Sequence, residues 1–111
     1  MLKLTEDVLS EIVDAIVRAV DPRAIYLFGS QARADARDDS DVDLLVVEDA
    51  PFGPQRSRLA ELQRVRRALA PFHIAKDILV YSADEVAHWR DSTNHILARC
   101  LREGRPLYAR P

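Results

Sequence analysis

Apolar residues recur at helical spacing from Thr5 to about Val20, where Val8, Leu9, Ile12, Val13, Ile16 and Val20 line one face. Thr5 stands where an N-cap belongs and Glu6 and Asp7 fill the first turn, so the pattern predicts an amphipathic helix that ends at Asp21-Pro22. Ala24 to Phe28 then reads as a short buried strand, Ser30 to about Ala36 as a short helix, and Asp38-Asp39-Ser40 as a polar turn into a second strand from Asp41 to Glu48. Pro51, Gly53 and Pro54 mark a loop too short to link domains. Leu59, Leu62, Val65 and Leu69 form the stripe of a helix stopping near Ala70-Pro71, and Phe72 to Tyr81 reads as a third strand. Ser82-Ala83-Asp84-Glu85 is a capping box opening a short helix. A last helix carries Ile96, Leu97, Cys100 and Leu101 and closes at Gly104, and Leu107-Tyr108-Ala109 reads as a terminal edge strand.

Helices alternating with strands predict an α/β (α+β) fold, a mixed sheet of three to five strands with helices packed on it. The 111 residues, 48% hydrophobic and 31% charged, fit one compact domain spanning 1–111 with a modest core. Sixteen basic and eighteen acidic residues leave a net charge of -2, so no overall electrostatic footprint for nucleic acid is visible. A lone cysteine, Cys100, excludes an internal disulfide and suits a reducing compartment. Acidic residues near the N-terminus where a secretory signal needs an apolar run, and no window of membrane-spanning length, lead to the expectation of a soluble cytoplasmic protein.

Gly29-Ser30, followed by ten residues and then Asp41-Val42-Asp43, falls between the first two strands. Strand side chains alternate, so Asp41 and Asp43 project to one face; two carboxylates that close repel unless a cation sits between them. Mg²⁺ takes one or two carboxylates together with phosphate oxygens and water, the set this site and a triphosphate would supply. Gly29 lets the backbone approach a phosphate, Ser30 adds a hydroxyl and the free amides of a helix N-terminus, and Arg33 shares that helical face. Asp77 lies inside the apolar run of the third strand, where a bare carboxylate is costly. If the third strand lies beside the second, Asp77 completes a three-carboxylate cluster and either bridges a second metal or accepts a proton from an attacking hydroxyl.

Other chemistry-bearing residues have simpler readings. Arg56, Arg64 and Arg67 fall opposite the apolar stripe of their helix and read as a solvated face. His73, His88 and His95 lack ligand-like spacing. Trp89 and Tyr81 are assigned to core packing, and Cys100, within an apolar stripe, to a small buried hydrophobe. Asp35, Asp38 and Asp39 enrich one loop in negative charge, as solvated turns often do.

The Gly-Ser, ten-residue spacer and Asp-x-Asp arrangement resembles the minimal nucleotidyltransferase family of the DNA polymerase β-like superfamily. Ala32, Arg33, Ala36, Ser40 and Leu44 also stand where the family pattern places them, Asp77 resembles its third carboxylate, and Gly104 to Tyr108 its C-terminal ending. The family commonly has Gly after the Arg, whereas this chain has Ala34. If that backbone needs positive φ, Ala costs about 1 kcal/mol; if it is helical, Ala is favourable.

The resemblance implies a Mg²⁺-dependent transfer of a nucleoside monophosphate, usually AMP from ATP, to a hydroxyl. It implies catalytic and metal-binding roles for Asp41, Asp43 and Asp77 and triphosphate binding by Gly29, Ser30 and Arg33. Small stand-alone members are often antitoxins paired with a helical HEPN-domain toxin, and some adenylylate a tyrosine of that toxin. Larger nucleotidyltransferases bind the acceptor with an extra domain, for which 111 residues leave no room, so the acceptor site is expected to be completed by another chain. Two rival readings stay open: a binding module that masks its partner, and a small-molecule nucleotidyltransferase. Three retained carboxylates weigh against the first, and the missing acceptor domain against the second.

Overall fold

The computed structural model describes residues 4–29, 41–93 and 95–111. The expected short helix after Ser30 and the turn at Asp38-Asp39-Ser40 lie outside them. Among the described residues the order is α1 (Glu6–Val20), β1 (Ala24–Phe28), β2 (Val42–Glu48), α2 (Arg58–Leu69), β3 (Lys76–Ser82), α3 (Ala83–Trp89), α4 (Ile96–Glu103) and β4 (Arg105–Ala109). The strands form one mixed sheet in the order β3-β2-β1-β4. β1 pairs antiparallel with β2 and with β4, and β2 pairs parallel with β3. This is the mixed α+β architecture expected from the sequence.

Local signals account for several boundaries. Thr5 caps α1 by accepting from the Val8 amide at 3.2 Å, and Asp21 closes it in the left-handed region at φ 46°. Ser82 and Glu85 complete both halves of the capping box of α3, at 3.2 and 2.9 Å. β4 is an edge strand whose register shifts opposite Ile25/Tyr26, a location that tolerates Pro106.

Period-two alternation divides the sheet between two faces. Ile25, Leu27, Val42, Leu44, Val46, Ile78 and Val80 pack with Leu9, Ile12 and Ile16 of α1 and with Val65 and Leu69 of α2. A smaller cluster on the opposite face joins Ala24, Leu45 and Val47 to Leu97 and Cys100 of α4. Central β2 is covered on both sides, which explains its nearly continuous apolar run. No helix among the described residues is long and apolar enough to cross a membrane.

Four expectations need correction. β3 begins at Lys76, not Phe72, because Pro71 to Ala75 curls: the Phe72 and Ile74 amides donate to Leu69 and Phe72 carbonyls, and Lys76 Nζ donates to the Phe72 and Ile74 carbonyls. Leu59 is 60% exposed rather than part of the buried stripe, whereas Glu61 is buried. Arg56 precedes α2 and closes the Pro51–Arg56 loop: Gly53 and Arg56 exchange backbone bonds, and its guanidinium bonds Glu48 and Glu61. Trp89 is 38% exposed and stacks on His95 at 4.3 Å instead of entering the core.

Candidate active site

Phe28, Asp43 and Asp77 occupy one row across β1, β2 and β3: Phe28 is opposite Asp43, and Asp43 is in register with Asp77. Residues in register on neighbouring strands project to the same face, and strands lie about 4.8 Å apart, so the two carboxylates are close neighbours. They share the face occupied by Leu45, Val47 and α4. The condition attached to Asp77 from sequence, that its strand lie beside the second, is met.

Asp77 is nevertheless exposed, the second residue of β3 rather than a buried mid-strand acid. The curl before Lys76 moves the strand start forward, and the inferred desolvation cost does not arise. Asp43 is half-buried and Asp41, one residue before β2, is exposed. The Val42 amide donates to the Ala75 carbonyl at 2.8 Å, so the ladder holds β2 and β3 together right up to the acids.

Gly29 leaves β1 at φ 75°, a left-handed conformation that a side chain disfavours. A Cβ there would also collide with Asp43 Oδ2 and stand 3.2 Å from Asp43 Cγ. The turn itself favours glycine, and any Cβ would push the Asp43 carboxylate from its place. Ser30 and Arg33 lie outside the described residues.

A cavity of about 390 Å³ opens beside these groups, lined by Phe28, Gly29 and Asp43 on one side and by Ile96, Arg99, Cys100 and Glu103 of α4 on the other. Cys100 is 2% exposed, and burial, aided by the charge of Asp43, pushes its thiol up to about 11. That agrees with the small-hydrophobe assignment. The α4 wall was not identified as part of the site from sequence, where the i,i+4 spacing of Arg99 and Glu103 was its one signal; in the structure Ile96 is 45% exposed.

Among the described residues the acids at the β1–β2–β3 end, Asp41, Asp43 and Asp77, offer carboxylate oxygens, hard ligands suited to Mg²⁺. Among the described residues no three His, Cys, Asp or Glu side chains converge as a ready-made cage. Two neighbouring carboxylates fit an ion that draws its remaining ligands from phosphate and water.

A family model described as polymerase beta, nucleotidyltransferase matches residues 10–111. No curated protein matches the chain. Similar solved structures include one assigned as a minimal nucleotidyltransferase, 27% identical over 91% of this chain and 90% of that one, TM-score 0.58. Another is a toxin-antitoxin with AMP-PNP, 18% identical over 92% of this chain and 73% of that one, TM-score 0.60. A third is a tri-AMPylated Shewanella oneidensis HEPN toxin in complex with an MNT antitoxin, 14% identical over 92% of this chain and 70% of that one, TM-score 0.59. At these identities the last two are likenesses of fold.

Proposed function

We infer, from the premise that this chain belongs to the polymerase beta nucleotidyltransferase family, that it transfers AMP from ATP to a hydroxyl, a tyrosine of a partner HEPN toxin, and so acts as that toxin's antitoxin. The observation that carries the site assignment is the in-register placement of Asp43 and Asp77 beside Gly29. Asp41, Asp43 and Asp77 are the residues that would hold Mg²⁺. When bound, the ion supplies charge stabilisation at the α-phosphate and eases loss of the attacking hydroxyl's proton.

This chain's own groups have distinct tasks. Asp77, exposed at the start of β3, would either help hold the ion or accept the hydroxyl proton. Gly29, lacking a side chain, lets the backbone and Asp43 approach the phosphates together. Ser30 and Arg33 hold the leaving pyrophosphate. The whole of 1–111 serves as one nucleotidyltransferase domain, and the partner presents the acceptor. The fold neighbours that are toxin-antitoxin complexes support this pairing.

Incubating the chain and its toxin with α-labelled ATP and Mg²⁺ tests the reading. Label should appear on a toxin tyrosine, be lost when Mg²⁺ is chelated, and disappear with Asp41→Ala or Asp43→Ala in a folded protein. Undiminished labelling by either variant sinks the assignment. Silencing of the toxin by a triple variant of Asp41, Asp43 and Asp77 to Ala would favour masking instead.

A further inference from the structure

We propose that two copies of this chain pair face to face through α1 and α2, the acidic outer face of α1 in one copy lying over the basic outer face of α2 in the other. The two helices pack on the same side of the sheet, and Arg64 of α2 donates to the Ala19 carbonyl at the end of α1. Each buries one stripe, Leu9, Ile12 and Ile16 on α1 and Val65 and Leu69 on α2. What they turn outward differs in sign. The exposed charged residues of α1 are Glu6, Asp7, Glu11, Asp14 and a single arginine, Arg18. On α2 every exposed charged residue is an arginine, Arg58, Arg64, Arg66 and Arg67, because its one acid, Glu61, is buried.

Helical spacing sets Asp7, Glu11 and Asp14 along one line of α1, and Gln63 and Arg67, with Leu59 and Arg66 beside them, along the outer line of α2. Leu59, 60% exposed, is the most exposed large apolar side chain among the described residues. Covering it removes apolar area from water at the place where the opposite charges attract.

A second copy brings the complement of both faces at once. With a two-fold axis running between the two helices, α1 lies over α2 of the other copy and α2 over its α1, a closed and self-complementary contact. The alternative two-fold, which sets α1 over α1 and α2 over α2, puts acids against acids and arginines against arginines and is disfavoured. An acidic partner of another kind would match α2 alone and leave the carboxylates of α1 unanswered. At about 10 Å across and about 1.5 Å of rise per residue, the two helices present roughly 400 Å² per copy, so the contact totals roughly 800 Å², the size of a transient complex. The pairing is therefore weak, reversible and screened by salt. Asp43 shares the opposite face of the sheet with α4, so both cavities stay uncovered and point away from each other.

Sedimentation equilibrium of the full chain tests the pairing. The wild type should reach dimer mass at low salt, and raising salt from about 0.05 M to about 1 M, where the Debye length is about 3 Å, should weaken association at least about tenfold. Arg66→Glu with Arg67→Glu turns the outer face of α2 acidic, and Glu11→Lys with Asp14→Lys turns that of α1 basic. Each double variant alone should associate at least about tenfold more weakly than wild type. Mixed in equal amounts, the two should form a heterodimer within about threefold of the wild-type affinity, since each face again meets its opposite. A wild type still monomeric at about 1 mM overturns the proposal, as does a double variant that dimerises alone like wild type. A mixture that stays monomeric overturns the placement of α1 over α2. A monomeric wild type that binds a mixed-sequence RNA oligonucleotide, with binding lost in Arg66→Glu with Arg67→Glu, overturns it too, by giving the arginines to nucleic acid. The four substituted residues are exposed, and circular dichroism checks that the variants fold.

Discussion

Near its start β2 sets Asp43 beside Asp77 of β3, and at its far end it brings Glu48 against Glu61 of α2. The pairs lie on opposite faces of the sheet and have opposite surroundings. Glu48 is 2% exposed and Glu61 9%, and both are bonded by arginine: Arg56 to Glu48 at 2.6 Å and to Glu61 at 3.3 Å, Arg64 to Glu61 at 2.9 Å. Arg56 is itself fixed by the Ala50 carbonyl at 2.7 Å and lies over the Phe52 ring at 4.4 Å. Burial, then the bond with Glu61, pushes the Glu48 carboxyl up to about 7. Burial opposes ionisation of Glu61 too, but the Glu48 bond and Arg64 outweigh it and leave Glu61 lowered while Glu48 is raised. At the other end Asp77 is exposed and Asp43 half-buried. An acid pair bonded by arginine within its own fold is a structural joint; the pair at the start of β2 and β3 is the one that the proposed function assigns to a cation.

The comparison can be broken most severely at the Asp43–Asp77 pair. Asp43→Asn keeps the shape of the side chain and removes its charge, so transfer from α-labelled ATP should fall about a thousandfold, while the thermal midpoint stays within a few degrees of wild type. Arg56→Ala should do the reverse. It leaves two buried acids without their shared cation and should cost about 3 kcal/mol by urea unfolding, with the affinity of the remaining folded protein for ATP unchanged.

Gly29→Ala touches both the backbone and Asp43. The strained φ should cost about 1–2 kcal/mol of stability, and displacement of the carboxylate should lower transfer further than that loss explains, a split visible by assaying well below the unfolding midpoint. The smallest effect sharpens the contrast by pH. Between pH 4.5 and 7 native Glu48 holds a proton that the unfolded chain has released, so its contribution favours folding below that window and is lost as pH rises through it. Glu48→Gln should remove that slope, on the order of 1 kcal/mol between pH 5 and 8, in urea titrations. An unchanged slope would place the proton elsewhere.

Legibility in the sequence followed the range of the interactions. Thr5, Asp21 and the Ser82–Glu85 box set their boundaries through bonds within a few residues, and those elements fall where the local pattern puts them. Gly29 and Asp43 were readable as a spacing, yet their contact, and the left-handed φ that makes it possible, required the antiparallel pairing of β1 with β2. Propensity could not place the start of β3, because Phe72 and Ile74 are good strand residues spent on a curl that Lys76 caps. Nor could periodicity foresee that Arg56 would leave the helix face for Glu48, or that Glu61 rather than Leu59 would be buried; these depend on how one loop closes over the end of β2. The cavity wall was hidden for the same reason, since α4 meets β1 through tertiary packing, Leu97 and Cys100 with Ala24 and Gly104 beside Leu27.

The pairing of β4 with β1 also bears on the order in which the molecule is assembled. Leu27 and Arg105 are register partners although about eighty residues separate them, and Arg105 forms a further long-range bond to Glu6. A ribosome releasing this chain would deliver Asp43 and Asp77 before α4 and β4. The α4 wall of the cavity would dock last, so the cavity beside Gly29 and Asp43 closes only once the C-terminal elements are in place.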